Sequence, residues 1–156
     1  MRGKKAPKRK IKVDPRFNRV DIAKLINKIM NDGKKTTAQR ILYNAFQYIS
    51  DKTKQDPLEI YDSAIRNISP VLEVKGRRIG GANYQVPIVV SGERRLILAH
   101  NWLINASKNR KGKDMATSLA DELILAAKGE GEAMKKRGDV QRMAEANKAF
   151  AHFARY

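Results

Sequence analysis

Apolar residues recur every three or four positions through the first part of the chain, as in helices packed on a core. The first stripe consists of Ile22, Leu25, Ile26, Ile29 and Met30. Gly33 is the expected end of this helix, because glycine adopts the left-handed helix-end conformation at little cost. A second helix is expected to begin at Thr36, whose hydroxyl can cap it while Gln39 closes a capping box. Its stripe consists of Ala38, Ile41, Leu42, Ala45 and Ile49.

A third helix is predicted from the signals at its start. Asp56 suits the N-cap, Pro57 the first turn, and Glu59 places a carboxylate near the helix N-terminus. Its inner face is expected to contain Leu58, Tyr61, Ile65 and Ile68. Pro70 ends it.

The spacing changes to alternation over residues 71–91. The alternating apolar positions are Leu72 and Val74, then Tyr84, Val86, Ile88 and Val90. A period of two predicts strands, and the double glycine at 80 and 81 predicts a hairpin turn between them. Pro87 is compatible with this, because both strands of an isolated ribbon are edges. A lone hairpin is only marginally stable in water, so the arm is expected to rest on the helices or on a partner.

Helical spacing returns after the hairpin. A fourth helix is predicted over about 94–108, with a stripe of Leu96, Ala99, Leu103 and Ala106. A fifth follows an Asp114 cap and ends at Gly129, with a stripe of Met115, Leu119, Leu123 and Ala126. A sixth is predicted over about 132–149, where Gly138 costs about 1 kcal/mol relative to alanine and permits a kink. Residues 150–156 stay unassigned.

These patterns predict a mainly α protein with a single domain of about six helices over residues 15–156. A two-stranded β-hairpin protrudes between the third and fourth helices. Residues 1–14 form a basic N-terminal extension, expected to be disordered when free because it contains too little apolar surface to offset chain entropy.

Composition adds a strong imbalance of charge: 33 Lys and Arg stand against 16 Asp and Glu, a formal net charge of +17. Such an excess repels itself in a compact protein, so a polyanion is the natural partner. The cations cluster in the extension, at helix ends and in turns, where backbone amides also face a phosphate. Those in the extension are Arg2, Lys4, Lys5, Lys8, Arg9, Lys10 and Lys12. The others are Lys34, Lys35, Lys75, Arg77, Arg78, Arg94, Arg95, Lys108, Arg110, Lys111, Lys113, Lys136 and Arg137.

The sequence offers little for catalysis, and we expect no catalytic residue, metal, cofactor or small-molecule substrate. Cysteine is absent, and the two histidines, His100 and His152, are expected to be structural or to face RNA. The Gly-Lys pair at 33 and 34 lacks the upstream glycine of a nucleotide-binding loop. No apolar run resembles a signal peptide or a membrane span, so a cytoplasmic protein with no membrane partner is expected.

Charge alone leaves two kinds of nucleic-acid partner open. The junction at Gly33 does not lead into a convincing DNA-recognition helix. A nucleoid-type architectural DNA-binding protein with a β-ribbon arm remains an alternative to an RNA-binding protein, because such arms enter the minor groove. Those proteins are usually obligate dimers, and no dimerisation stripe is evident here.

Three stretches together resemble the bacterial small-subunit ribosomal protein seven family. Residues 26–38 read INKIMNDGKKTTA, residues 74–87 read VKGRRIGGANYQVP, and residues 142–152 read RMAEANKAFAH. They are similar to the family's N-terminal signature, hairpin arm and C-terminal signature, and they stand in the family's order. The resemblance covers essentially the whole chain.

The resemblance implies six helices with a ribbon between the third and fourth. It also implies a structural constituent of the small subunit that binds the 3′ major domain of 16S rRNA first and nucleates assembly of the 30S head. The protein would lie near the decoding region, beside ribosomal proteins nine, eleven and thirteen. Carried over to this sequence, the rRNA contacts include Lys34, Lys35, Lys75, Arg77, Arg78, Arg94, Arg95 and Arg142. Lys148 is also expected to contact rRNA. The residues expected to face the exit-site tRNA are Gly80, Gly81, Asn83 and Tyr84.

Overall fold

The computed structural model describes residues 3, 7 and 9–155, which form six α-helices, one two-stranded sheet and a C-terminal 3-10 helix. The helices are α1 (Val20–Ile29), α2 (Lys35–Thr53), α3 (Pro57–Ile68), α4 (Gly92–Asn109), α5 (Met115–Ala127) and α6 (Glu132–Ala146). Strands β1 (Leu72–Ile79) and β2 (Ala82–Val89) stand between α3 and α4, and the 3-10 helix covers Lys148–Arg155. The predicted mainly α fold with a hairpin between the third and fourth helices is confirmed.

One hydrophobic core lies between the helices, with α5 at its centre. α5 contacts α2, α3, α4 and α6. Small residues on α5, such as Ala116, Ala120 and Ala126, are buried and let the neighbouring helices approach closely. Among the largest fully buried side chains are Tyr61, Phe46, Leu42, Leu103, Leu119 and Leu123. Full burial of a side chain of this size contributes about 1.5–3 kcal/mol. None of the described helices is long and apolar enough to cross a membrane.

Several helix ends differ from the predictions. α1 ends at Ile29 with Met30 as its C-cap, so the predicted end at Gly33 is wrong, and Gly33 lies in the turn before α2. α2 begins at Lys35 with Lys34 as its N-cap, and no side chain caps it, so the predicted Thr36–Gln39 capping box is wrong. The helix starts earlier because the carbonyl of Lys34 already accepts from the amide of Ala38 at 3.2 Å. α4 likewise begins at Gly92, two residues before the predicted start.

The sixth helix is shorter than predicted. It runs unbroken through Gly138 but ends at Ala146. Asn147 terminates it by donating from both its backbone amide and its side-chain amide to the carbonyl of Met143, at 3.2 and 2.8 Å. The chain then tightens into the 3-10 helix, which includes most of the segment that sequence patterns left unassigned.

The buried face of α3 is rotated from the predicted one. The Asp56 cap is confirmed, since its Oδ1 accepts from the amide of Leu58 at 3.0 Å. Tyr61 and Ile68 are buried as expected, whereas Leu58 and Ile65 are half-buried. Ile60 and Ala64 are buried as well. The reason is that α3 contacts four other helices, which a single stripe cannot cover.

The hairpin is an antiparallel ribbon whose pairs run from Leu72 opposite Val89 to Ile79 opposite Ala82. Gly80 and Gly81 form the turn with φ values of +56° and +93°. Both values lie in the left-handed region, where glycine is favoured because it has no Cβ. At the base of the arm Val86 and Val90 are buried, while Val89 is 72% exposed. The arm therefore has one face toward the helices and one toward solvent.

The N-terminal segment joins the core at Asp14. The buried carboxylate of Asp14 accepts from the amides of Arg16 and Phe17, each at 3.0 Å, and from the hydroxyl of Tyr43 at 2.8 Å. The Phe17 ring packs edge-on against Phe46, with centroids 5.2 Å apart. Residues 9–13 are in neither helix nor strand.

Candidate nucleic-acid interface

The described end of the N-terminal extension lies beside α1 and α4. Arg2, Lys4, Lys5 and Lys8 lie outside the described residues, whereas Arg9, Lys10 and Lys12 are exposed. Ile11, between the last two, lines a cavity with Lys24 and Lys28 of α1. The other wall of that cavity comes from Glu93, Leu96, Ile97 and His100 of α4. The extension thus brings its cations close to two lysines on α1.

The start of α2 is an uncapped, positively charged helix end. Lys34 and Lys35 are both exposed there. No side chain accepts from the first-turn amides, and no acidic residue stands in the first turn. Free amides and the helix dipole favour an anion at such an end. Two lysines at this end add to the attraction, so the arrangement suits a phosphate group.

At the base of the hairpin, Glu73 binds two of the predicted cations. Its Oε1 is 2.9 Å from Lys75 Nζ, and its Oε2 accepts from Arg94 Nε at 3.2 Å. Burial raises the pKa of Glu73, but the hydrogen bonds from Lys75 and Arg94 outweigh that effect and hold the pKa below its ordinary value. Arg94 and Lys75 are distant in the sequence, and their ion pairs with the Glu73 carboxylate hold them next to each other.

The outer part of the arm contains Arg77 and Arg78 on β1, opposite Tyr84 and Asn83 on β2. Arg78, Asn83 and the two glycines of the turn are exposed. Arg77 is half-buried and donates from Nη1 to the carbonyl of Phe153 at 3.5 Å. The predicted tip residues therefore lie together, with Tyr84 half-buried and its ring 5.1 and 5.3 Å from those of Phe150 and Phe153.

Two carboxylates of α5 hold the connection between α4 and α5. Arg110 donates from Nη2 to Oε2 of the fully buried Glu122 at 2.6 Å. Asp121 accepts from Lys113 at 2.6 Å and from Lys52 at 2.8 Å. Burial raises the pKa of Asp121, but the hydrogen bonds from Lys113 and Lys52 outweigh burial and hold the pKa below its ordinary value.

The remaining cations of this region have no carboxylate within ion-pair distance in the described part of the chain. Lys108, in the last turn of α4, and Lys111, on the α4–α5 connection, are exposed, and Arg110 and Lys113 tie that connection to α5. Arg95 is half-buried in the first turn of α4. The end of α4 and the connection that follows it therefore present two ammonium groups that have no carboxylate partner among the described residues.

The cations predicted on the last helix separate onto different surfaces. Lys136 lines a groove with Trp102 and Asn109 of α4. Arg137 instead lines a groove with Val71 and Leu72 at the hairpin base. Arg142 pairs with Asp139 one turn away, and Lys148 is exposed at the start of the 3-10 helix.

Exposed cations on helix ends and on an arm suit either RNA or DNA, and comparison with known proteins separates the two. The family model described as ribosomal protein S7p/S5e matches residues 1–148. The chain belongs to this ribosomal protein family. The small ribosomal subunit proteins uS7 of Polynucleobacter necessarius and Aromatoleum aromaticum are each 55% identical over 152 residues, 97% of either chain. The uS7 protein of Burkholderia cenocepacia is 54% identical over the same share.

Membership of the S7p/S5e family confirms the predicted resemblance. The chain is a structural constituent of the small ribosomal subunit and belongs to the cytoplasmic ribosome. Membership implies contact with ribosomal RNA and with other proteins of the subunit. Nothing in the comparisons supports the architectural DNA-binding alternative.

Within this S7p/S5e-family chain, two cations that sequence patterns missed lie beside the predicted ones. Lys24 and Lys28 stand four residues apart on α1 and line the cavity that contains Ile11. Lys24 Nζ is 3.6 Å from Oε1 of Glu93 at the start of α4. The available signal was their helical spacing on the polar side of the first apolar stripe.

Both histidines have structural contacts. His100 is buried, and its Nε2 is 2.9 Å from the hydroxyl of Tyr61. Burial lowers the pKa of His100 to about 4, so the ring is neutral at physiological pH. His152 is exposed and donates from Nδ1 to the carbonyl of Ala149 at 2.9 Å. The described residues include no group of three or more potential metal ligands.

Proposed function

We propose that this protein is a primary 16S rRNA-binding protein, which binds the 3′ major domain and nucleates assembly of the 30S head. The observation that supports it most is the uncapped start of α2, where exposed Lys34 and Lys35 precede the amides of Thr36 and Thr37, which have no acceptor among the described residues. Helix ends of this kind suit a phosphate because their free amides already point at the place that the anion would occupy. A protein that binds early in assembly benefits from sites that are ready before the RNA arrives.

The rRNA-binding cations fall into two groups. The first has no described carboxylate partner and consists of Lys34, Lys35, Arg77, Arg78, Arg95, Lys108, Lys111, Lys136, Arg137 and Lys148, with Arg9, Lys10 and Lys12 of the extension. Each cation of the second group pairs with a carboxylate of the protein, so it must keep that partner while it contacts RNA or give it up for a phosphate. This group consists of Lys75, Arg94, Arg110, Lys113 and Arg142. Arg2, Lys4, Lys5 and Lys8 complete the proposal as contacts of the extension.

Binding of this kind depends on counterion release and on shape. Cations that neutralise phosphates release condensed counterions, so the affinity falls steeply as salt rises. Side chains cannot read the deep major groove of an RNA helix, so specificity comes from matching a particular arrangement of RNA segments. The helical core supplies this match, because it holds the charged ends of α2 and α4 and the hairpin at fixed separations.

The arm is proposed to face the exit-site tRNA near the decoding region. Gly80, Gly81 and Asn83 are exposed at the turn, and Tyr84 lies directly behind them. The proposed protein neighbours are ribosomal proteins nine, eleven and thirteen of the small subunit. Support for the tRNA contact comes from the exposure of the turn and from Arg78 beside it, which can meet a phosphate.

The test is a binding titration at two salt concentrations, against the 16S 3′ major domain and a structured RNA of equal length. Saturable one-to-one binding, at least about 100-fold tighter to the rRNA fragment, is expected of a specific assembly protein. Equal affinity for both RNAs, lost together as salt rises, would contradict the proposal and leave a general polyanion binder.

A further inference from the structure

Among the described elements the backbone of the hairpin arm runs close to α6 and the C-terminal 3-10 helix, and its base is also joined to α4 through Arg94 and Glu73. α6 lies at the base, where a groove is lined by Pro70, Val71 and Leu72 together with residues of α6. The 3-10 helix lies along β2, where its side-chain contacts with the arm are at Tyr84 and Arg77, toward the turn, and it also contacts α6. The two ends of the arm thus rest on different supports.

The support near the turn is an aromatic cluster. The Tyr84 ring centroid lies 5.1 Å from that of Phe150 and 5.3 Å from that of Phe153. The two phenylalanine rings are 6.3 Å apart and nearly parallel. On the other strand Arg77 donates to the backbone carbonyl of Phe153 at 3.5 Å. The 3-10 helix therefore contacts both strands at two residues that lie opposite each other, Arg77 on β1 and Tyr84 on β2.

A two-stranded ribbon is only marginally stable in water by itself. Its outer half gains stability and a fixed direction when side chains pack on it, because each aromatic pair adds to the stability beyond the area it buries. We propose that the C-terminal 3-10 helix is a brace that holds the outer half of the arm at a fixed angle to the helical core. Tyr84, Phe150 and Phe153 are its positioning residues.

The value of the brace for binding rests on the proposed function. The direction of the arm decides where Arg77 and Arg78 stand relative to cations elsewhere, such as Lys34 and Lys35. An arm held in place in the free protein does not have to be ordered when RNA binds, so less affinity is lost to that ordering. Arm geometry is measurable in the free protein, which keeps the brace testable apart from RNA binding.

The test uses the full chain and the variant Phe150→Ala/Phe153→Ala. Amide hydrogen exchange is measured over residues 76–85 of the arm, with the amides of α2 and α5 as internal references. About tenfold faster exchange in the arm is expected, with unchanged exchange in the reference helices. Phe150 and Phe153 lie outside the hydrophobic core cluster, so thermal unfolding of the helices is expected to stay near that of the parent.

A second measurement reports the direction of the arm. The chain has no cysteine, so Asn83→Cys and Asn105→Cys provide two spin-label sites without background. Both sites are exposed, one on the arm and one on α4. The electron–electron distance distribution is expected to broaden when the two phenylalanines are replaced by alanine.

Two control variants separate the brace from a general loss of apolar surface. Val89→Ala removes an exposed apolar side chain from the same arm, and it is expected to leave exchange over residues 76–85 unchanged. Phe150→Tyr/Phe153→Tyr keeps both rings and is expected to behave as the parent. Unchanged exchange and distance distribution in the alanine variant would overturn the brace. A loosened arm with parent affinity for the rRNA fragment would support the brace and refute the arm's part in the proposed function.

Discussion

Arg94, in the first turn of α4, donates from Nε to Oε2 of Glu73 on β1 at 3.2 Å. This hydrogen bond joins the base of the hairpin to the helical core. Lys75 binds the other carboxylate oxygen, so one buried acid gathers two cations that are 19 residues apart in the sequence. The two cations are held in place, and Glu73 partly neutralises their charge.

Replacing this acid is expected to strengthen RNA binding and weaken the fold. The Glu73→Gln substitution removes the repulsion between this carboxylate and an RNA phosphate. If that repulsion is about 1 kcal/mol, its removal makes binding roughly fivefold tighter at low salt. The free energy of unfolding is expected to fall by about 1 kcal/mol, because a charged hydrogen-bond network is lost.

Filter binding measures the change in RNA affinity, and urea unfolding measures the change in stability. Glu59→Gln, which changes the same charge on the exposed side of α3, is the control; unchanged or weaker binding by Glu73→Gln contradicts the prediction.

The buried His100 is expected to make the fold acid-sensitive. Its pKa falls from 6.5 to about 4 on folding, so the unfolded chain takes up a proton in this window that the folded chain does not. Stability therefore decreases as the pH falls from about 6.5 to about 4, by up to about 3 kcal/mol, and is constant with respect to this group outside the window.

Denaturant unfolding at a series of pH values measures this dependence. His100→Gln is expected to flatten it between pH 6.5 and 4 while lowering stability at neutral pH, because the bond to Tyr61 is altered. His152→Gln changes the exposed histidine and is expected to keep the full dependence. A parent curve that is flat in this window would disprove the assignment.

The start of α2 is predicted to bind phosphate directly. Lys34→Ala/Lys35→Ala is expected to reduce the slope of log affinity against log salt by about one for each lost phosphate contact. Thermal unfolding is expected to stay within about 2 °C of the parent, because both side chains are exposed. Lys128→Ala, at the exposed end of α5, is the matched control. Equal salt slopes for the double variant and the control would show that α2 does not meet a phosphate.

The fully buried Glu122 is predicted to be the most sensitive ionic residue for stability. It accepts from Arg110 at 2.6 Å and from the amide of Ala133 at 2.9 Å, so it ties the α4–α5 connection to the start of α6. Glu122→Ala leaves a buried donor and a cation unpaired and is expected to cost about 3–5 kcal/mol. Glu130→Ala, an exposed neighbour, is expected to change stability by less than about 0.5 kcal/mol in the same unfolding experiment.

The N-terminal extension is expected to act on binding and not on folding. A chain lacking residues 2–10 keeps Asp14 and its bond to Tyr43, so its thermal unfolding is expected to match that of the parent. Its affinity for the rRNA fragment and its salt slope are both expected to fall, because the deletion removes a group of cations. A salt slope equal to that of the full chain would contradict a role for the extension.

Local signals predicted most of the fold. Asp56 and Asp114 cap the helices that they were expected to cap, because a cap involves residues two or three positions apart. The double glycine similarly predicted the turn. The helix ends that were predicted wrongly depend on competition between side chains and backbone amides for the last carbonyls, which helix propensity does not resolve. At the end of α6, for example, the side-chain amide of Asn147 donates to the carbonyl of Met143.

The site was harder to predict, because its geometry comes from contacts between distant residues. No local pattern shows that Glu73 is buried beneath Arg94, or that Phe153 approaches Tyr84, 69 positions earlier. For the same reason the sequence shows that Arg110 and Lys111 are basic without showing that Arg110 is bound to Glu122 and Lys111 is exposed. Charge clusters therefore identify the class of partner, and tertiary contacts decide which cations are available to it.

The turn at Gly80 and Gly81 makes the end of the arm narrow as well as tight. A helix with its side chains measures about 10–12 Å across, whereas the two-residue turn has no side chain to widen it. With no side chain at either glycine, the apex is bare backbone and can enter a cleft that would exclude a helix. Both glycines lack side chains, so the side chains nearest the apex are those of Ile79 and Ala82, with Arg78 and Asn83 one position further back.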